Sequence, residues 1–341
     1  MKRAGGLFEQ YATPMALFAA YEKAREGKRN HRGCFEFERN LGGNIQRLHF
    51  ELTSGTYQPQ PLNSFWVKDG AKPRLIEAPL FRDLVVQHAI YAVISPLMER
   101  RYIDTNFACR VGKGTHKASD WLYAAMRKAP RTAWVLHVDV RKFFYSIDRD
   151  VLHNQLAKII KCKRTLDLLS MFALRPSVAG VPIGNLMSQT FANLYLNSLD
   201  HFCKRVLRAA DYGRYMDDSV LIAPDCATGL QWLAAIRQHL ALLNLQISHH
   251  SLQPIARGVD FVGYRTWASG RFVRPGLISA IRTDARRGKI ESIVSRLGHA
   301  RRTKSLPHIL QHLKENHHAL FVRLPQTYHR HQHPRAGTAT V

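Results

Sequence analysis

Arg214-Tyr215-Met216-Asp217-Asp218-Ser219-Val220-Leu221-Ile222-Ala223 sets two adjacent carboxylates between two runs of strand-forming residues. The pattern predicts a β-hairpin with the acids at its tip. Turns favour aspartate for purely local reasons, so Asp217 and Asp218 alone would describe a solvated acidic turn. A second stretch changes that reading. Trp134-Val135-Leu136-His137-Val138 is an apolar run that predicts a mostly buried strand, delivering Asp139 at its C-terminal end. One acid at a strand end and two on a hairpin tip can converge on a pair of hard divalent cations, Mg²⁺ or alternatively Mn²⁺, bound through oxygen ligands. Asp139, Asp217 and Asp218 are therefore the expected catalytic and metal-binding residues, with Val140 as a further metal contact. Two ions held this way activate a 3′-hydroxyl and stabilise a leaving pyrophosphate during in-line phosphoryl transfer.

Composition narrows the partner. The chain has 341 residues, enough for one multilobed enzyme or two ordinary domains, and its 45% hydrophobic content excludes a disordered chain. Lys and Arg number 50 against 25 for Asp and Glu, a formal net charge of +25, which points to a polyanion and first of all to nucleic acid. Cys34, Cys109, Cys162, Cys203 and Cys226 are scattered and never form Cys-X-X-Cys, so they suggest neither a disulfide framework nor a zinc module. A cytoplasmic, reducing setting fits. The N-terminal Met1-Lys2-Arg3-Ala4-Gly5-Gly6-Leu7 lacks the apolar core of a signal peptide, and no apolar run is long enough for a bilayer, so no membrane partner is expected.

Residues 14–56 carry apolar residues at three- and four-residue spacings and predict amphipathic helices. Phe65 to Ile76 reads as two strands around Asp69-Gly70, with basic residues at the turn and beyond. Leu84 to Tyr102 predicts a core helix, and Leu230 to Leu245 another that covers a sheet face. Asn106 to Thr115 places Arg110, Gly112, Lys113 and Gly114 together, a composition that lets backbone approach phosphate, although the glycine spacing is too short for a Walker motif. Arg110-Val111-Gly112-Lys113-Gly114-Thr115 resembles the Arg-X-Gly-Lys-Gly-Thr stretch of reverse transcriptases related to group II introns, and that resemblance implies that Arg110 and Lys113 contact template or primer backbone. From Pro275 onward spaced Ile, Val and Leu alternate with Arg, Lys and His, which predicts basic helices gripping a duplex through its phosphates. The histidines there have no spacing that supports a closed metal site.

The order of Asp139, the aromatic run Phe143-Phe144-Tyr145 and Tyr215-Met216-Asp217-Asp218 resembles reverse transcriptases, over roughly Tyr57 to Trp267. The resemblance implies an α+β fold: a right-hand polymerase with an antiparallel palm sheet, fingers and a helical thumb. It divides the chain into a helical extension (1–56), fingers (57–132), first palm segment (133–160), fingers/palm connection (161–182), second palm segment with primer grip (183–267), basic thumb (268–324) and a mobile tail (325–341). It also implies that Lys72, Arg74 and Arg82 lie near the incoming nucleotide and that Phe144 is the steric gate against a ribose 2′-hydroxyl. Tyr215 and Met216 would touch template or primer, as would Gly263 and Tyr264; a late strand pair is expected at Leu245–Ser248 and Gly258–Tyr264, and the latter segment resembles the primer grip.

Within Gly180-Val181-Pro182-Ile183-Gly184-Asn185-Leu186-Met187-Ser188-Gln189, most reverse transcriptases have Gln where Ile183 stands and Pro where Gln189 stands. The Ile-Gly-X-X-X-Ser-Gln form resembles the reverse transcriptases of diversity-generating retroelements, which places Ile183, Gly184 and Gln189 at the nucleotide pocket. An apolar residue in place of a hydrogen-bonding one removes an orienting contact and loosens base selection. The resemblance implies a template RNA, a DNA primer or target, dNTPs and a small basic accessory protein. Rival expectations are a group II-intron-like or antiviral-defence reverse transcriptase and, from a different class, a non-catalytic RNA-binding scaffold.

Overall fold

The computed structural model describes residues 2–69, 72–175 and 179–329, with the backbone alone for Lys68, Asp69 and Lys72. Two compact units emerge from one interleaved chain. The first comprises Met1–Arg110, Asp139–Arg208 and Ala234–His249; the second takes Val111–Val138, Ala209–Leu233 and the chain from His250 onward.

The first unit is built around helix Phe81–Glu99, which buries Val85, Val86, Ala89, Ile90 and Ile94 and so lies at the centre of its bundle. Against it packs helix Pro14–Arg25. That helix starts where Thr13 accepts the Ala16 N–H at 3.2 Å, with Pro14 preset for the first turn. Helix Leu41–Ser54 is capped by Asn40 and ends at Gly55, whose φ of 75° a side chain would resist. Strands β1 (Asn63–Asp69) and β2 (Lys72–Ala78) form the expected antiparallel hairpin, in register from Asn63↔Ala78 to Asp69↔Lys72. Helix Leu186–Tyr195 begins at Asn185, whose Oδ1 accepts the Met187 N–H at 2.8 Å, and it buries Met187, Phe191, Leu194 and Tyr195.

In the second unit, strands β3 (Trp134–Val140), β4 (Tyr212–Tyr215), β5 (Asp218–Ala223) and β6 (Ile247–Pro254) form a sheet of order β4-β5-β3-β6. The boundary between the units cuts β3 after Val138 and β6 after His249. Val135, Leu136 and Val138 are buried, as the apolar run requires. Gly213 lies so close to the Trp121 ring that a Cβ there would stand 2.5 Å from it.

The late strands differ from expectation. β6 belongs to the four-stranded sheet, whereas β7 (Val259–Phe261) pairs with β8 (Tyr264–Trp267), which pairs with β9 (Gly270–Val273) in a separate antiparallel sheet. The two segments read as one strand pair therefore sit in different sheets. Each of β7, β8 and β9 is too short to declare a partner through its own periodicity. Helices Pro275–Arg286, Ile290–Ala300 and Leu306–Asn316 follow and bury Ile281, Ile293, Leu297, Ile309 and Leu310 with Tyr264 and Val273 in one apolar cluster. Among the described residues no helix is long and apolar enough to cross a membrane.

Candidate active site

The hairpin brings Asp218 opposite Tyr215 at the ends of β5 and β4, leaving Met216 and Asp217 as the two turn residues. Met216 has φ 55°, in the left-handed region that a non-glycine residue enters only when the surroundings hold it there. The holding group is Arg214. Its side chain is fully buried, and its Nη1 donates to the Met216 carbonyl at 2.7 Å. On β3, His137 is hydrogen-bonded through Nε2 to Asp218 Oδ1, so the second acid of the pair is tied to the strand that leads into Asp139. In the first unit, Ser248 Oγ donates to the Asp139 carboxylate and, at 3.2 Å, to its backbone carbonyl. Asp139, Asp217 and Asp218 are all half-buried, and Val140 is buried. Arg214, His137 and Ser248 were not singled out from the sequence. Only the position of His137 two residues before Asp139 carried a signal, because alternate residues share one face of a strand.

Carboxylate and carbonyl oxygens are the donors that Mg²⁺ or Mn²⁺ prefers. Among the described residues no group of three or more His, Cys, Asp and Glu side chains is drawn together as a metal-binding cluster. The Asp218 carboxylate is engaged by His137 and that of Asp139 by Ser248.

The basic residues expected at the nucleotide fall into distinct settings. The Lys72 side chain lies outside the described residues, and Arg74 is exposed on β2 opposite Val67. Arg82 is ion-paired with Glu51, lies 3.5 Å from Asp83 and stacks over the Tyr57 ring at 5.2 Å. Its guanidinium thus ties the core helix to the N-terminal helices. Asp83 beside it is buried, which raises its carboxyl above the ordinary range. Phe144 is half-buried, whereas its neighbour Phe143 is buried against Tyr195 at 6.4 Å between centroids. Gly184, at φ 101°, approaches β2: a Cβ there would lie 2.5 Å from Ile76, and the adjacent Ile183 carbonyl accepts the Glu77 N–H at 2.6 Å. Gln189 is exposed on its helix.

Arg110 donates from Nε to Glu99 at 2.9 Å and from Nη1 to the Ile103 and Asn106 carbonyls, while stacking over Tyr102 at 5.4 Å. Lys113, half-buried, stands between Gly112 at φ 73° and Gly114 at φ 109°. Tyr215 and Met216 are half-buried on the hairpin. The space that Gly263 leaves open is taken by His299, whose Nε2 would lie 2.9 Å from a Cβ there. Tyr264 is buried, its ring stacked on His299 at 4.1 Å and its hydroxyl donating to the His299 carbonyl at 2.9 Å. Burial raises the Tyr264 hydroxyl to about 12 and lowers the His299 imidazole.

Residues 67–266 match the family described as reverse transcriptase (RNA-dependent DNA polymerase). Relatives include the group II intron-encoded protein LtrA of Lactococcus lactis subsp. cremoris, 26% identical over 169 residues, covering 46% of this chain and 28% of the relative. Protein YkfC of Escherichia coli K12 is 26% identical over 174 residues, covering 48% of this chain and 46% of the relative. The chain thus spans less than half the length of either relative. Among solved structures, an insertion-loop deletion mutant of the RNA-dependent RNA polymerase of a human picobirnavirus superposes with a TM-score of 0.50 at 12% identity, over 80% of this chain and 59% of that one. At that identity the likeness speaks for the fold alone, an α+β polymerase fold of the right-hand type. With the family match reaching across residues 67–266 of 341 and homology to group II intron-encoded proteins within it, the chain belongs to the reverse transcriptase family.

Proposed function

We propose that this chain is an RNA-directed DNA polymerase that copies a template RNA into cDNA from a DNA primer. Asp139, Asp217 and Asp218, with the Val140 carbonyl, would hold two divalent cations, Mg²⁺ or Mn²⁺. The observation that carries the reading is the His137–Asp218 hydrogen bond, which ties Asp218 to β3 two residues before Asp139 on the same strand. When bound, such ions supply activation of the primer 3′-hydroxyl and charge neutralisation at the leaving pyrophosphate. The chain's own groups bind and orient. Arg214 holds the turn that presents Asp217, and the Phe144 ring excludes a 2′-hydroxyl. Lys72 and Arg74 would meet the triphosphate, and Lys113 sits in a glycine loop suited to a phosphate backbone. The domain reading stands with this: fingers at 57–132, palm segments at 133–160 and 183–267, thumb at 268–324.

Purified chain on a primed RNA template with dNTPs tests the proposal. Asp217→Ala should cost several kcal/mol of transition-state stabilisation, on the order of a thousandfold in rate, with RNA binding unchanged. Equal synthesis by both proteins would remove the assigned mechanism.

At a finer level we propose error-prone synthesis for a diversity-generating retroelement, with a structured template RNA and a small basic accessory protein as partners. Support comes from Ile183, Gly184 and Gln189 in the nucleotide-pocket segment. The matches to group II intron-encoded proteins favour a second reading, an intron-type enzyme. Sequencing cDNA made on the native template separates them. A raised error rate concentrated at particular template bases supports the first, and even fidelity across the four bases supports the second.

A further inference from the structure

We propose that Arg175, together with Glu77, is a positioning residue for sugar selection, because it braces the backbone from which Phe144 projects. The inference rests on the reading of Phe144 as the sugar gate.

Arg175 is 4% exposed, an unusual place for a guanidinium that never loses its charge. Its Nε donates to Glu77 Oε2 at 2.6 Å and its Nη1 to the Ala179 carbonyl at 3.0 Å, while its face lies over the Tyr145 ring at 4.9 Å. The three partners use both the hydrogen-bonding fork and the stacking face of the guanidinium. Each partner leads to Phe144. Tyr145 is the next residue in the chain. Ala179 precedes Gly180 and Val181, and the Val181 N–H donates to the Phe144 carbonyl at 2.9 Å. Gly180, at φ 81°, lies so close that a Cβ there would stand 2.3 Å from that carbonyl and 2.5 Å from the Tyr145 Cα. Its own carbonyl accepts from Arg149 Nε at 2.9 Å. Glu77 completes the circuit, since its backbone N–H holds the Ile183 carbonyl at 2.6 Å while its carboxylate holds Arg175.

A buried ion pair contributes little to stability, because desolvation offsets the attraction, and the role proposed for this one, held through Nε and Nη1, is to fix geometry. Geometry is what a steric gate needs. Discrimination by overlap depends on ring position at the sub-ångström level, and a displacement of about 1 Å can change a rate about a hundredfold. Phe143 is locked in the core, so the setting of Phe144 falls to its backbone neighbours.

Single-nucleotide incorporation on a primed RNA template, with dNTP and the matching rNTP, gives the discrimination ratio for wild type, Phe144→Ala, Arg175→Lys, Arg175→Ala and Glu77→Gln, alongside a thermal melt of each. Phe144→Ala should lower the ratio about tenfold or more. Arg175→Lys keeps the Glu77 charge paired and the chain folded, but loses the fork and the stacking face; it should lower the ratio by about three- to tenfold, through kcat/KM for the rNTP. Arg175→Ala and Glu77→Gln should do the same wherever they melt as a folded protein. A folded Arg175→Lys with the wild-type ratio, beside a Phe144→Ala whose ratio has dropped, overturns the brace and leaves the gate standing. A Phe144→Ala with an unchanged ratio overturns the gate and the brace with it.

Discussion

Arg214 shows how much of a site can depend on a residue that does no chemistry. A fully buried guanidinium is tolerated only where its donors are used, and one of them caps the carbonyl of Met216, the residue driven to φ 55°. Removing that charge-assisted bond takes one hydrogen bond from a turn whose methionine is held in the left-handed region. Arg214→Leu should lower stability by about 2–3 kcal/mol in urea unfolding and reduce primer extension further than that loss alone explains. Unchanged synthesis by a folded Arg214→Leu would show that the turn holds itself. The same scale marks the limit of sequence reading. The strand and hairpin positions of Asp139, Asp217 and Asp218 were legible because an apolar run leads into the first and another follows the pair; the ions proposed for them rest on carboxylate chemistry and not on packing. The partners of Arg82 and Arg110 were not, because a basic residue in sequence does not declare which carboxylate folds back onto it; Glu51 and Glu99 do so here.

At the scale of elements, legibility followed periodicity and punctuation. The β1–β2 hairpin, the β4–β5 hairpin and the helices from Pro275 onward were all foreseen, since each has a run long enough for its period to show. The β7-β8-β9 sheet was missed, because strands this short take their partners from tertiary packing. That sheet and its helices also hold a titratable contact. The His299 ring fills the space above Gly263 and stacks on Tyr264, with His116 from helix Thr115–Lys128 facing the same hydroxyl at 3.0 Å. Burial lowers the affinity of His299 for its proton; its bond to Gly263 opposes this by a smaller amount, and the nearby His116 adds the least, in the lowering direction. The folded value lies below the ordinary one of 6.5, so the unfolded chain takes up the proton first as pH falls. Stability is therefore complete above that value and is lost between it and the lower folded value, with no further loss beneath. Thermal melts on either side of this window should show acid destabilisation of the wild type and a smaller drop in His299→Gln. Some drop should remain, since burial also lowers His88, His239 and His312. An identical drop in both proteins would remove His299 from the account.

For the whole molecule, a formal charge of +25 is a constraint on folding before it is a device for binding. Like charges at this density repel one another in the compact chain, and a polyanion relieves that repulsion as it binds. Binding should then be dominated by counterion release, in which each neutralised phosphate contributes to a linear fall of log K with log salt. For six or more phosphate contacts, affinity for an RNA–DNA duplex should fall by about a thousandfold or more between roughly 50 and 200 mM salt. Asp217→Asn should keep that slope while losing synthesis, because the substitution removes a carboxylate and leaves every basic side chain in place. Filter binding or fluorescence anisotropy across a salt series, paired with primer extension on the same preparations, measures both. A shallow slope, equivalent to about one or two phosphates, would mean that the basic residues are spent on internal carboxylates as Arg82 and Arg110 are, and the case for an extended nucleic-acid track would fall with it.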